Sequence, residues 1–198
     1  MTKKEEWLAG TRSAVPIMLG YVPVGIAYGV MARQAGLNTW QTVLMSLTVY
    51  GGASEMMAAG MVAQGAAVLT IVLTTFILNL RHIIMSTCVF NQMQGGRLPV
   101  RMLAAFGVTD ETFAVYTTTA NAPRTPRYFF SMALCSYLSW ALGSWLGAIA
   151  TGLLPPLITA ALGISLYAMF IGLLMPGLRG NGRLAALVVL TALCNTML

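Results

Sequence analysis

Apolar stretches long enough to cross a bilayer constrain this chain more than any other feature of its sequence. Short segments containing Pro, Gly, Asn and Arg separate the stretches, which are 13–32, 40–62, 65–90, 102–119, 128–150, 157–175 and 184–198. A membrane helix needs about 20 apolar residues, and only 8% of this chain is charged. The sequence therefore predicts an all-α, polytopic membrane bundle of six to seven spans. We expect a single membrane transport domain over 1–198 with a short cytoplasmic N-terminus at 1–12.

Two of these stretches predict irregular backbone, and a third is short. Segment 102–119 carries polar residues 109–112 after Gly107, and the first span contains Pro23 and Gly25. Both predict discontinuous helices, which in transporters often frame the substrate. If segment 102–119 dips in and returns, it changes the later topology and explains why Arg97 and Arg101 otherwise fall in an outside loop. Segment 184–198 reaches only about 22 Å at 1.5 Å per residue, so we expect that it stops partway or lacks a tail.

The remaining composition excludes several classes of protein. The net charge of +6 comes from basic residues in short loops, which predicts orientation with the N-terminus inside rather than binding to nucleic acid. One histidine and three cysteines without CxxC spacing predict neither a metal site nor another cofactor. No GxSxG or Ser-xx-Lys motif is present, so we do not expect an enzyme. The expected location is the bacterial cytoplasmic (inner) membrane.

Five ionisable residues inside the apolar stretches predict the functional site: Glu55, Arg81, His82, Asp110 and Glu111. Such groups are costly in a bilayer unless they pair or face water, so they indicate a polar path and hence transport. Arg81 either forms a buried ion pair with one of the acids or anchors a substrate carboxylate. His82 either relays protons or is a neutral hydrogen-bonded residue.

Two further motifs leave alternatives open. Asp110 and Glu111 point about 100° apart on a helix, so one is expected to couple transport and the other to pair with Arg81. The glycines before Ser54 and Glu55 permit close approach or a break in the helix. Glu55 itself lies beside the path or forms a structural ion pair. The Gly25-xxx-Gly29 spacing is typical of helix packing, with a ligand path beside it as the alternative.

The motifs resemble the AzlC family, the large subunit of branched-chain amino acid exporters. They are Gly20–Gly25 with Gly29, Gly51–Glu55, Asn79-Leu80-Arg81-His82, and Thr109-Asp110-Glu111 before Phe113 and Ala114. The resemblance covers about residues 13–175 and implies a small hydrophobic membrane partner of the AzlD type. The family usually has a glutamine where this chain has Glu55.

The combined prediction is a subunit that exports branched-chain or other aliphatic amino acids, methionine included, with proton coupling. A transporter or channel for another small solute is one alternative, and a non-transporting scaffold for a partner subunit is the other. The residues expected at the substrate and coupling site are Glu55, Arg81, His82, Asp110, Glu111, Asn79, Ser54, Pro23 and Gly25.

Overall fold

A computed structural model describes residues 2–153 and 182–197, together with positions 155, 157, 158, 161, 164 and 171. Over these residues it contains nine α-helices: α1 Lys3–Gln34, α2 Thr39–Val49, α3 Gly52–Ala63, α4 Val68–Asn79, α5 Arg81–Gln92, α6 Leu98–Phe106, α7 Asp110–Thr118, α8 Pro126–Ala150 and α9 Gly182–Met197. The all-α prediction is confirmed. The predicted span 157–175 lies largely outside the described residues. Helix α9 belongs to a separate compact unit and its 16 residues reach about 24 Å.

Helix α1 is continuous over 32 residues, with Pro16 and Pro23 in its interior. The predicted break near Pro23 and Gly25 is therefore wrong. A membrane helix tolerates proline when neighbouring elements compensate for the lost backbone bond, and α8 packs along much of α1. Gly25 lies on this seam, where an added Cβ would come within 3.0 Å of the Trp140 carbonyl oxygen. The interpretation of Gly25-xxx-Gly29 as a packing face is confirmed.

Helices α1 and α8 run parallel, so the two helices begin on the same side of the membrane and serve as a reference for the direction of the other segments. An added Cβ on Gly10 would meet Tyr128 near the start of α8, whereas one on Gly25 would meet Gly143, further along it. Each small residue lets the two backbones approach closely. The start of α1 and the start of α8 therefore lie on the same side of the membrane, which we call the N-terminal side.

Helix α2 runs back along α1 as far as the middle of the membrane. It begins at the Asn38 capping box, and the Tyr28 hydroxyl donates to the Thr42 carbonyl at 3.1 Å. Near the middle of α1 and at the end of α2, the rings of Tyr21 and Tyr50 are in contact, with 6.4 Å between their centroids. Tyr50 ends the helix in the left-handed conformation at φ 47°, and α3 begins after Gly51. The break that the glycines permitted is thus present.

Helices α4 and α5 form one apolar segment of 25 residues, Val68–Gln92, about 37 Å long. Its middle residue Asn79 lies beside Gly51. Its end lies on the N-terminal side, because the Gln94 amide donates to the Arg124 carbonyl at 2.6 Å just before α8. Val68 is therefore on the opposite side, so α3 must return there. Segment 40–62 thus forms a re-entrant hairpin rather than the crossing that its length predicted.

Helices α6 and α7 form a second re-entrant hairpin, which enters from the N-terminal side. At its entrance, an added Cβ on Gly96 would lie 3.0 Å from Pro126, and at its tip one on Gly107 would contact Ala133. The chain then returns, since the ring of Tyr116 lies 6.1 Å from that of Tyr128. The prediction that segment 102–119 dips in and returns is confirmed, and Arg97 accordingly lies on the N-terminal side.

The two hairpins enter from opposite sides and meet in the middle of the membrane. The rings of Tyr50 and Phe106 are 5.9 Å apart between centroids. Both rings contact Tyr137 of α8, and Tyr50 also contacts Tyr21 of α1. We call Tyr50, Gly51, Phe106, Gly107 and Thr109 the hairpin junction. Because α3 and α7 begin here, two helix N-termini, each carrying about half a positive charge, point toward the membrane centre.

Three helical segments in the described part of the chain are long and apolar enough to cross a membrane, namely Lys3–Gln34, Val68–Gln92 and Pro126–Ala150.

Candidate functional site at the hairpin junction

The N-terminus of α3 is closed by its own glutamate. Glu55 is fully buried, and its Oε1 accepts from the Gly51 amide at 2.9 Å. Both carboxyl oxygens lie 3.3 Å from the indole Nε1 of Trp140. The buried Ser54 hydroxyl donates to the Gly51 carbonyl at 2.8 Å. Glu55 therefore satisfies one backbone donor and one side-chain donor where no water reaches them, and it forms no ion pair with Arg81.

The N-terminus of α7 carries the second buried acid. Thr109 and Thr112 form a reciprocal cap, and the Thr112 hydroxyl also donates to the Gly107 carbonyl at 2.9 Å. Glu111, only 5% exposed, accepts from the Tyr21 hydroxyl at 2.6 Å. That hydroxyl lies 2.7 Å from Thr109 Oγ1 as well. Tyr21 on α1 thus fixes both the cap and the acid of α7.

Asp110 points away from Glu111 and pairs with Arg81. The Arg81 Nη2 to Asp110 Oδ2 distance is 2.9 Å, and the two side chains are 34% and 28% exposed. The prediction that one of the adjacent acids is the partner of Arg81 is confirmed. The Arg81 Nε is buried and has no hydrogen-bond partner in the described part of the chain. The guanidinium therefore carries an unsatisfied donor next to a partly exposed ion pair.

Asn79 and His82 lie around the same pair. His82 Nδ1 is 3.0 Å from the Asn79 carbonyl oxygen, which matches the hydrogen-bonded alternative for His82. The Asn79 side-chain oxygen is buried and has no hydrogen-bond partner among the described residues. It lies 3.5 Å from the position that a Cβ on Gly51 would take. Asn79 therefore connects the Arg81 side of the site with the N-terminus of α3.

Seven of the nine predicted site residues gather around the hairpin junction: Ser54, Glu55, Asn79, Arg81, His82, Asp110 and Glu111. Pro23 and Gly25 lie in the unbroken α1, with Gly25 packed against α8. The two buried acids are linked through aromatic rings, because Trp140 lies 5.3 Å from Tyr21 between centroids. One half of the cluster is thus buried and aromatic, while the Arg81–Asp110 half is accessible.

Sequence reasoning missed the aromatic residues that organise the site, Tyr21, Tyr50 and Trp140. Tyr21 and Trp140 resemble ordinary packing residues in apolar spans, and their acidic partners lie 90 and 85 residues away in the chain. Tyr50 has one signal, its place directly before two glycines at the end of an apolar run. A left-handed non-glycine residue of this size is unusual and often marks a functional position.

A cavity of about 200 Å³ adjoins the junction between α6 and α8. It is lined by aromatic and aliphatic residues: Tyr50, Leu103, Ala104, Phe106, Gly107, Phe130, Ala133, Leu134 and Tyr137. None of the predicted site residues lines it. We call it the aromatic cavity.

Comparison with known proteins shows the family of the chain. The family model described as "AzlC protein" matches residues 16–154. The chain belongs to the AzlC family. Its relatives include an uncharacterized membrane protein of Archaeoglobus fulgidus, 33% identical over 91% of this chain and 80% of that protein. The inner membrane protein YgaZ of Escherichia coli is 30% identical over 85% of this chain and 72% of that protein.

Another AzlC-family relative is the branched-chain amino acid transport protein AzlC of Bacillus subtilis. It is 27% identical over 75% of this chain and 61% of that protein. No solved structure matches the chain significantly. The relatives' names, together with the apolar helices, confirm a multi-pass membrane protein.

Proposed function

We propose that this AzlC-family chain is a transporter subunit that exports aliphatic amino acids, branched-chain ones or methionine. The observation that carries the proposal is the partly exposed Arg81–Asp110 pair at the N-terminus of α7 in mid-membrane. The name of the Bacillus subtilis relative supports the substrate class. A charged pair of this kind is costly in a membrane and in transporters commonly marks the substrate pathway.

In this mechanism a zwitterionic amino acid inserts between Arg81 and Asp110. Its carboxylate replaces Asp110 as the partner of the partly exposed Arg81 guanidinium, and its ammonium group replaces Arg81 as the partner of Asp110. The exchange leaves no charge unpaired, because a neutral zwitterion enters a neutral pair. This matters since an isolated charge costs several kcal/mol more than a paired one away from water. Binding also separates α5 from α7, which gives the substrate a way to change the structure.

Coupling is assigned to the buried half of the cluster. Glu55 or Glu111 carries a proton that moves down its own gradient, and this movement drives export of the amino acid. Each acid lies at the start of a re-entrant helix, so a change in its charge acts directly on that helix N-terminus. The two hairpins enter from opposite sides, and they are the elements whose movement opens the site to one side at a time.

The proposal includes a location and a partner. The location is the bacterial inner membrane, as in the name of YgaZ. The partner is a small hydrophobic subunit of the AzlD type. Helix α4 contributes no buried residue, and only 6% of the Val68–Gln92 window is buried. This apolar segment is the face on which we place the partner.

The test is efflux of leucine, isoleucine, valine and methionine from preloaded proteoliposomes containing this chain and its partner. Arg81→Gln and Asp110→Asn should abolish efflux without removing the protein from the membrane. Arg127→Gln is the matched control, because Arg127 is exposed and its contact with Glu6 is long at 3.8 Å. Wild-type rates in the first two variants would refute the site. A current without amino acid exchange would instead identify a channel.

A further inference from the structure

We propose that the aromatic cavity holds the apolar side chain of the transported amino acid and sets the substrate preference by size. The inference rests on the proposed function, since it places one part of the same substrate. Its basis is the position, size, chemistry and backbone of the cavity wall.

The cavity and the ion pair share one hairpin. Its wall is formed by both hairpins and α8, with Tyr50 from one hairpin, Gly107 from the other and Leu134 from α8. Gly107 precedes Asp110 by three residues, so their Cα atoms are at most about 11 Å apart. We therefore place in this cavity the side chain of an amino acid whose ammonium group binds Asp110.

The size and lining of the cavity suit an aliphatic side chain. Its volume is about 200 Å³, whereas an apolar cavity of about 150 Å³ stays dry and accommodates benzene. None of the lining residues is charged, and the only side-chain polar groups among them are the hydroxyls of Tyr50 and Tyr137. The cavity therefore favours a branched aliphatic or thioether side chain over a charged one.

The backbone of Tyr50 links the cavity to the coupling half of the site. Tyr50 is held at φ 47° by rings on two sides, Phe106 at 5.9 Å and Tyr137 at 4.9 Å. Its next residue, Gly51, donates its amide to Glu55. A side chain that fills the cavity thus presses on the residue that leads into the N-terminus of α3.

The competing occupant is a lipid acyl chain, because Leu103 and Phe106 at the cavity edge are exposed. The two occupants predict different effects of filling the cavity. An acyl chain is the same whichever amino acid is transported, so displacing it alters efflux of all substrates alike. A substrate side chain makes the effect depend on the size of the substrate.

The experiment compares Leu134→Trp, which fills the cavity, with Leu138→Trp one turn further along α8. Leu138 is 57% exposed and does not line the cavity. Initial efflux of leucine and of alanine is measured from proteoliposomes. We expect Leu134→Trp to lower the leucine-to-alanine ratio at least about tenfold, since even one methylene group changes selectivity by that order. Leu138→Trp should leave the ratio unchanged.

A second variant keeps the inference testable if Leu134→Trp does not fold. Leu103→Ala widens the cavity at its exposed edge and should raise phenylalanine efflux relative to leucine about tenfold. This gain cannot result from misfolding. If a folded variant leaves the ratio unchanged, or changes the efflux of both substrates by the same factor, the side-chain assignment is overturned while the proposed function stays intact. Wild-type protein that exports none of these amino acids would overturn both.

Discussion

The buried Glu55 gives the most informative stability prediction. Replacing it with alanine leaves the Gly51 amide and the Trp140 indole N–H without their acceptor. An unpaired buried donor costs about 1–3 kcal/mol, so the two together cost about 2–6 kcal/mol. At about 2–4 °C per kcal/mol for a chain of this size, Glu55→Ala should lower the apparent melting temperature by at least about 4 °C.

Glu55→Gln separates the hydrogen bonds from the charge. The one carboxyl oxygen Oε1 accepts from both Gly51 and Trp140, and a glutamine carbonyl oxygen can occupy its position. The amide group that replaces Oε2 lies beside the Trp140 donor and weakens that contact. We therefore expect the free energy of unfolding of Glu55→Gln to be within about 1 kcal/mol of the wild-type value, much closer than that of Glu55→Ala.

The assay is thermal unfolding of the purified protein in detergent, followed by tryptophan fluorescence. All three proteins are compared at one pH and one detergent concentration, because bound amphiphile shifts apparent stability. If Glu55→Ala is as stable as Glu55→Gln, the two hydrogen bonds contribute nothing. The role assigned to Glu55 at the start of α3 would then be wrong.

Three further predictions concern the fold. Gln34→Cys and Gln64→Cys, at two exposed positions that flank segment 40–62, should react with an impermeant maleimide from the same side of the membrane, and labelling from opposite sides would refute the first re-entrant hairpin. Gly143→Val, whose Cβ would lie 2.7 Å from a carbonyl oxygen of α1, should cost about 1–3 kcal/mol in thermal unfolding. Gly60→Val, with open space around it, should not. Tyr21→Phe should lower stability by about 1.5–3 kcal/mol, because its hydroxyl bonds the Glu111 carboxyl group; an unchanged melting temperature would contradict this.

Length and apolar composition predicted the helical membrane fold but not the course of every segment. Segment 40–62 is as long as a crossing helix, and only two contacts elsewhere show that the chain turns back: Asn79 lies beside Gly51, and Gln94 bonds Arg124. Proline and glycine in the first span predicted a break, whereas packing against α8 keeps α1 continuous. Local sequence cannot weigh a proline penalty against contacts made by a helix more than 100 residues later.

The site was predictable to the extent that charge in a membrane requires a partner. That rule predicted an acidic partner for Arg81 without choosing among Glu55, Asp110 and Glu111, and the partner is Asp110. It could not show that Glu55 caps its own helix. Glu55 accepts from the Gly51 backbone amide instead of forming an ion pair, and that amide lacks a partner only because the chain turns at Gly51. Tyr21 and Trp140 escaped notice for a related reason, since an aromatic residue in an apolar span looks the same whether or not its polar atom binds an acid.

The central claim is that a transported amino acid takes the place of each partner in the Arg81–Asp110 pair. The most direct test is leucine efflux from proteoliposomes by the double variant Arg81→Asp with Asp110→Arg, which keeps an ion pair but reverses it. We expect a protein that inserts in the membrane and exports no leucine, because the zwitterion no longer fits with its side chain in the cavity. Export at the wild-type rate would show instead that the pair is only structural.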